Sequence, residues 1–225
     1  MLLSFSNVSF SYNGSEDVLK NISFRVDYGE KIALLGLNGA GKSTLMLHTN
    51  GLLLPNKGDV IIEGLNTKSK SVKEIRKKVG LVFQNSDDQL FMPTVYDDIA
   101  FGPRNMNITE EEVKERVEMA LELTRTNNLQ NLSPYDLSGG QKKSVALATI
   151  LSMTPELLVM DEPTSGLDYK SIKNFISIIE PLKQTMILST HDMEIARALC
   201  SRAIILQEGE IVFDGKLQEA NYPPA

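Results

Sequence analysis

Apolar and polar positions alternate at the start of the chain. Leu3, Phe5 and Asn7, then Val8, Phe10 and Tyr12, fall on every second residue. The same period returns between Leu19 and Val26, through Ile22, Phe24 and Val26. Such alternation predicts antiparallel strands with one wet face. Lys57-Gly58-Asp59 leads into Val60-Ile61-Ile62, a further short strand. Five other segments are continuous apolar runs: Ile32–Leu35, Val79–Phe83, Leu157–Met160, Thr185–Leu188 and Ala203–Leu206. Runs of that kind suit strands covered on both faces of a mostly parallel sheet. Helical periodicity follows several of them, so the predicted class is α/β with an N-terminal antiparallel β-subdomain.

The middle of the chain has a different period. Thr109-Glu110-Glu111-Glu112 reads as a capping box. It opens an amphipathic stretch with Val113, Val117, Ala120 and Leu121 at helical spacing. Polar, turn-rich segments flank it, Asn105–Thr109 and Thr124–Tyr135. Residues about 86–150 therefore read as an α-helical insertion between two parts of one core, about 1–85 and 151–225. The tail, Asn221 to Ala225, is expected to fray.

Composition adds exclusions. Of 225 residues, 42% are hydrophobic and 23% charged, ordinary values for a globular domain. A net charge of −6 argues against a general nucleic-acid surface. The single cysteine, Cys200, excludes an internal disulfide framework and a cysteine-cluster metal site. No apolar run reaches the ~18 residues of a membrane helix. The start, Met1-Leu2-Leu3-Ser4, lacks the basic and apolar regions of a secretory signal. These features predict a cytosolic chain that reaches a membrane only by docking on something else.

The most informative chemistry lies in Gly36-Leu37-Asn38-Gly39-Ala40-Gly41-Lys42-Ser43-Thr44, which fits G-x-x-x-x-G-K-[S/T]. It follows the run ending at Leu35 and precedes a helical stretch from Thr44 to Asn50. Glycines let the backbone wrap a polyphosphate without Cβ clashes. Successive N–H groups and the helix N-terminus then face the anion. In such a loop Lys42 reaches the β- and γ-phosphates, and Ser43 holds Mg²⁺. A second centre follows the run Leu157–Met160, which ends in Asp161 and Glu162. At the C-terminal edge of a parallel sheet, where ligands bind, Asp161 could hold Mg²⁺ through water and Glu162 could take a proton from attacking water. His191 follows another strand end, in reach of a γ-phosphate, whereas His48 lies within an apolar helix and reads as structural. Ser138 with Gln141 could be only a capping box. The pair Gly139-Gly140 at a helix entrance is poor for helix stability, and suits a backbone that approaches an anion closely.

Together these elements resemble the ATPase subunit of ATP-binding-cassette (ABC) transporters, over nearly the whole chain. The resemblance implies a P-loop NTPase with a RecA-like, mostly parallel sheet and an inserted helical signature subdomain. Gly36–Thr44 looks like the Walker A loop, so Gly36, Asn38, Gly39, Ala40, Gly41, Lys42, Ser43 and Thr44 would bind ATP. Tyr12 matches the aromatic that stacks on adenine. Met160-Asp161-Glu162 ends the Walker B strand. Gln84 matches the Q-loop glutamine, a contact to Mg²⁺ and water, and His191 matches the switch histidine. Leu137–Gln141 is similar to the signature motif and Ser165–Asp168 to the D-loop. In the family two subunits pack head-to-tail, so Ser138, Gly139, Gly140, Gln141 and Asp168 would meet the ATP of the opposite subunit. Mg²⁺ is implied, with Ser43, Gln84 and Asp161 as its contacts, and Lys42, Gln84, Glu162 and His191 as the catalytic set.

A narrower resemblance lies after Gln84. Asp87-Asp88-Gln89-Leu90-Phe91 and Thr94–Pro103 look like energy-coupling-factor ATPases, which drive uptake of cobalt, nickel, biotin and other vitamins. Ser86 stands where that subfamily usually has proline, and the chain ends soon after Gly215, whereas many members carry a further C-terminal domain. The implied partners are a second ATPase subunit and integral membrane components, met from the cytoplasmic side of the membrane. Asp87 and Asp88 would receive basic side chains of a membrane partner, with Leu90 and Phe91 in an apolar socket. Rival readings are an exporter or lipoprotein-release ATPase, and a soluble cassette ATPase acting on nucleic acid or ribosomes. The sequence leaves the cargo open, and also the choice between homodimer and heterodimer.

Overall fold

The computed structural model describes residues 1–14 and 16–222. Pro223, Pro224 and Ala225, most of the tail expected to fray, lie outside them. The contacts divide the chain into two units: residues 1–81, 156–162 and 183–225, and residues 82–155 and 163–182. The sequence pattern groups residues 163–182 with the core. Their contacts put them in the second unit instead, where the Arg125 guanidinium donates to Asn174 Oδ1 and Ser177 Oγ at 3.1 Å each.

The first unit holds two sheets. Strands β1 (Leu3–Phe10), β2 (Leu19–Val26), β4 (Lys57–Ile62) and β5 (Leu65–Asn66) form an antiparallel sheet in the order β2-β1-β4-β5. Its inward face carries Phe5 stacked on Phe24, ring centroids 4.7 Å apart. The alternation slips at Asn7-Val8 because the β1–β2 register shifts there, and Asn7 adopts a left-handed φ of 51°. This is a bulge, and it keeps Val8 and Phe10 on the buried face. The reciprocal bonds of Asn7 N–H to Ser23 Oγ and Ser23 Oγ–H to Asn7 Oδ1 hold it.

The second sheet has six strands in the order β10-β9-β3-β8-β7-β6. They are β3 (Lys31–Leu35), β6 (Val79–Val82), β7 (Leu157–Asp161), β8 (Thr185–Ser189), β9 (Arg202–Gln207) and β10 (Glu210–Lys216). The apolar runs are five of its strands: β3, β7, β8 and β9 inside the sheet, and β6 at one edge. β3, β7, β8 and β9 pair in parallel, and every residue of β7 and β8 is buried. β10 pairs antiparallel with β9 at the edge. Helix α1 (Lys42–Thr49) follows β3, α2 (Val72–Lys78) precedes β6, and the short α7 (Met193–Leu199) follows β8. Cys200, next after α7, is buried, and burial pushes its thiol pKa up to about 12.

The second unit is helical: α3 (Val95–Arg104), α4 (Glu110–Thr124), α5 (Gly139–Leu151) and α6 (Tyr169–Ile179). Each starts on a side-chain cap: Thr94, Thr109, Ser138 and Asp168 accept backbone N–H groups of the first turn. Only the first half of the expected box at Thr109 forms. Thr109 Oγ1 accepts from Glu112 N–H at 3.2 Å, but the Glu112 carboxylate turns down the helix to Arg116 at 2.8 Å. Both halves of the box at Ser138 are present.

His48 is fully buried in α1, edge-on to Phe10 with centroids 4.8 Å apart. Its Nδ1–H donates to the Thr44 carbonyl at 2.7 Å, which fixes the tautomer, and Nε2 is buried without a hydrogen-bond partner among the described residues. Desolvation lowers its pKa below the usual histidine value. The unfolded chain therefore binds this proton at a higher pH than the folded one. Stability from this group is complete above about pH 6.5 and falls as pH drops from there towards the lowered folded pKa. Urea midpoints of the wild type against His48→Met, taken between pH 7.5 and 5.5, should show the wild type losing up to about 1.4 kcal/mol per pH unit relative to the variant. Parallel pH profiles would remove His48 as the cause.

Candidate functional site

Strand order decides where the chemistry sits. β8 lies between β3 and β7, so the C-terminal ends of all three share one edge of the sheet. In that row Leu34 pairs with Ser189, and Ser189 pairs with Asp161. β3 runs on into the loop Gly36–Gly41, β7 into Glu162, and β8 into Thr190 and His191. Ser189, fully buried, ties the row together: its hydroxyl donates to Asp161 Oδ1 at 2.6 Å and accepts the Glu162 N–H at 2.8 Å. No motif in the sequence singles out Ser189. The available signal is a hydroxyl at the last position of an apolar strand, beside a strand that ends in two carboxylates.

Glu162 adopts a left-handed φ of 42°, strained for a glutamate. The turn brings its carboxylate back into the first unit. Oε2 lies 2.9 Å from His191 Nδ1, and Oε1 lies 3.8 Å from Lys42 Nζ. Oε1 is buried and makes no hydrogen bond among the described residues. The ammonium of Lys42 donates to the carbonyls of Gly36 at 2.7 Å and Leu37 at 3.3 Å. Charge-assisted bonds to anionic oxygens are about twice as strong as bonds to neutral partners. An ammonium held by neutral carbonyls at the mouth of an N–H-lined loop is thus poised for phosphate.

Two glycines show why the loop has this sequence. A Cβ on Gly36 would lie 2.4 Å from the Leu206 carbonyl, so β9 passes too close for any side chain. Gly41 has φ 104° and turns the chain into α1. Lys42 and Thr44 are buried, while Asn38, Gly39 and Ser43 face solvent. Tyr12 stands at the other end of the loop, its hydroxyl 3.1 Å from Thr44 Oγ1 and its ring edge-on to Phe10. Tyr222 lies beside the loop rather than fraying, in a cavity of about 570 Å³ lined also by Leu37, Asn38, Leu206 and Phe213.

The residues fit a magnesium nucleotide. The Ser43 hydroxyl and the Asp161 carboxylate are hard oxygen donors, and Glu162 Oε1 is a buried carboxylate oxygen without a hydrogen bond. Among the described residues no three His, Cys, Asp or Glu side chains gather as a metal cage. A cation here would take most of its ligands from phosphate and water, as Mg²⁺ does.

In the second unit Ser138, Gly140, Gln141 and Asp168 line one cleft of about 410 Å³, with Arg125 and Lys170 on its wall. Ser138 Oγ accepts from Gln141 N–H at 3.4 Å, and Gln141 Oε1 accepts from Ser138 N–H at 2.8 Å. Asp168 accepts both the N–H and the hydroxyl of Ser171, and the N–H bond holds its carboxyl below the usual range. Gly139 and Gln84 line a separate cleft of about 420 Å³ with Asn85, Asp87 and Lys142. Two expected docking residues differ from expectation. Leu90 is 4% exposed, turned inward where the single turn Ser86–Asp88 ends and its N–H donates to the Ser86 carbonyl. Asp87 is already paired, with Lys142 Nζ at 2.6 Å. Asp88 and Phe91 face solvent, and Phe91 meets Phe101 edge-on with centroids 5.1 Å apart.

Residues 19–165 match the model of the ABC transporter family, well over half of the chain. The chain belongs to this family. As an ABC ATPase it hydrolyses ATP. It is 47% identical to the energy-coupling factor transporter ATP-binding protein EcfA of Methanocaldococcus jannaschii, over 93% of this chain and 77% of that protein. Among solved structures it is similar to cbiO1 of Clostridium perfringens, part of the ABC transporter complex cbiONQ. That likeness has TM-score 0.86 and 35% identity, over 97% of this chain and 89% of that one. A dimeric ATP-binding cassette, MJ0796, bound to ADP and Pi superposes with TM-score 0.85 at 29% identity, over 96% of this chain and 99% of its own. Among the described residues of this ABC ATPase no helix is long and apolar enough to cross a membrane.

If Lys42 meets phosphate, replacing it by alanine removes a charge-assisted bond worth about 1.5–3 kcal/mol. Calorimetry should show ATP affinity falling roughly tenfold to a hundredfold, and unchanged affinity would remove Lys42 from the nucleotide site. Ser189→Ala leaves a buried carboxylate oxygen and a buried N–H without their partner. Denaturant titration should show a loss of about 1–3 kcal/mol, with turnover reduced because Asp161 and Glu162 lose their common anchor.

Proposed function

We propose that this chain is the ATP-hydrolysing subunit of an energy-coupling-factor importer for a metal ion such as cobalt or nickel, or a vitamin such as biotin. It works on the cytoplasmic side of the membrane, with a second ATPase subunit and integral membrane components. The observation that carries the reading is the exposed aromatic pair Phe91–Phe101 beside the solvent-facing Asp88. Two large aromatics open to water, next to an acidic turn, suit an apolar partner segment with basic residues. Likeness to EcfA across 93% of the chain supports the same assignment. The docking edge is therefore Asp88 and Phe91 with Phe101, beside the Asp87–Lys142 ion pair and the buried Leu90.

For hydrolysis, Glu162 takes the proton of the attacking water, and His191 holds the carboxylate that does so. Lys42 neutralises the β- and γ-phosphates, and Tyr12 carries the adenine. Magnesium, when bound with the nucleotide by Ser43 and Asp161, would supply charge neutralisation at the transferring phosphate. In a head-to-tail pair the partner copy brings Ser138, Gly139 and Gly140 to the γ-phosphate, with Gln141 and Asp168 shaping that turn. ATP joins the copies because it carries anionic ligands for both, and loss of a phosphate loosens the joint.

Glu162→Gln should keep ATP binding and lose turnover by about 10²–10⁴, accumulating as an ATP-bound dimer on size exclusion. Wild-type rates from it would refute the base assignment. Co-purification from the native membrane should recover a multi-helix membrane protein together with a small vitamin- or metal-binding one. Recovery of an exporter-type permease instead would overturn the import reading. Asp88→Ala combined with Phe91→Ala should preserve ATP affinity and lose those partners in pull-down.

A further inference from the structure

The segment Phe83–Leu90 carries both Gln84 and the inner part of the docking edge, and it is bound along α5. The Gln89 amide points inward. Its Oε1 accepts the Phe83 N–H at 3.1 Å, and its Nε2 donates to the Ala146 carbonyl and to Thr149 Oγ1, each at 2.7 Å. Three of the four hydrogen bonds an amide can make are thus satisfied internally. One turn nearer the start of α5, the buried Lys143 donates its ammonium to the Gln84 carbonyl. Beside it Lys142 pairs with Asp87 at 2.6 Å. Together these contacts run from Lys142 to Thr149, roughly 10 Å at 1.5 Å per residue. The same helix begins at the Ser138-Gly139-Gly140 turn.

A loop fastened to a helix at one point can pivot, whereas one fastened at several points over two turns has no hinge. Releasing it would break the Lys143 bond to the Gln84 carbonyl and all three bonds of the part-buried Gln89 amide at once, which is unfavourable. We propose that Gln89 and Lys143 are positioning residues that make the Gln84 loop and the signature helix one lever. A partner seated at Asp88 and Phe91 then sets the position of the Ser138–Gly140 turn directly. This rests on the reading of that edge as the docking site.

The test has one arm without partners and one with them. Spin labels replace the exposed Asp88 and Tyr135 in the full chain, with Cys200 changed to serine. Wild type should give a narrow distance distribution. Gln89→Glu keeps the side-chain shape and the Phe83 bond but loses both donations to α5, and Lys143→Met removes the ammonium. Each should broaden the distribution, and Lys143→Arg should restore it. In the complex purified with its membrane partners and carrying no labels, both variants should still be pulled down but lose partner stimulation of ATP hydrolysis, with Lys143→Arg again restoring it. An unchanged distribution in Gln89→Glu and Lys143→Met, or full partner stimulation in both, overturns the proposal. Failure of the docking reading registers separately, as partners retained by Asp88→Ala with Phe91→Ala, and the label distances still decide whether loop and helix move as one.

Discussion

The site depends on two opposite charges held in a nearly dry pocket without completing each other. Lys42 Nζ and Glu162 Oε1 are 3.8 Å apart, with side chains only 7% and 8% exposed. That distance is long for a hydrogen bond, and Oε1 has none among the described residues. Burying such a pair is costly unless further bonds satisfy it. The fold provides part of the satisfaction through the Gly36 and Leu37 carbonyls on Lys42 and His191 on Glu162. The remainder is what a phosphate and its attendant water can supply. Strand order, the strained backbone of Glu162 and the glycines of the loop all serve to keep these two groups close and incompletely bonded.

Much of the fold is legible in the sequence because burial on both faces leaves a plain mark. The five apolar runs are strands of the six-stranded sheet, and the slip of alternation at Asn7-Val8 is a bulge. The phosphate loop, the carboxylate pair and His191 are legible for the same reason: each follows the end of such a run. What the sequence hides are polar residues that act inside the protein. Ser189 resembles a strand end meeting solvent, and Gln89 sits in an acidic, surface-like stretch. Both point inward, and only the neighbouring strand or helix shows why. β10 is hidden by its polar alternation, as an edge strand without a fully buried residue. The inward roll of Leu90 follows from one short turn, a local geometry that residue type does not specify.

The second unit shows how a polar stretch can be half structural and half recognition surface. Asp87 and Gln89 hold the loop to its own helix and Leu90 is buried, while Asp88 and Phe91 face solvent. Neighbouring residues thus divide between internal and external duty, and the internal ones make the external ones rigid. Preorganised surfaces bind with less ordering cost than mobile ones. The capping box at Ser138 does the same for the glycine turn, fixing a backbone that glycine would otherwise leave loose.

The burial of Cys200 has a practical consequence. A thiol with its pKa pushed up to about 12 is almost entirely protonated at neutral pH, and the protonated form is a poor nucleophile. Alkylating reagents and mild oxidants should therefore pass it by while the protein is folded and attack it once the strand beyond α7 opens. The one native sulfhydryl is in effect a built-in reporter of unfolding, readable by mass spectrometry after a brief pulse of iodoacetamide.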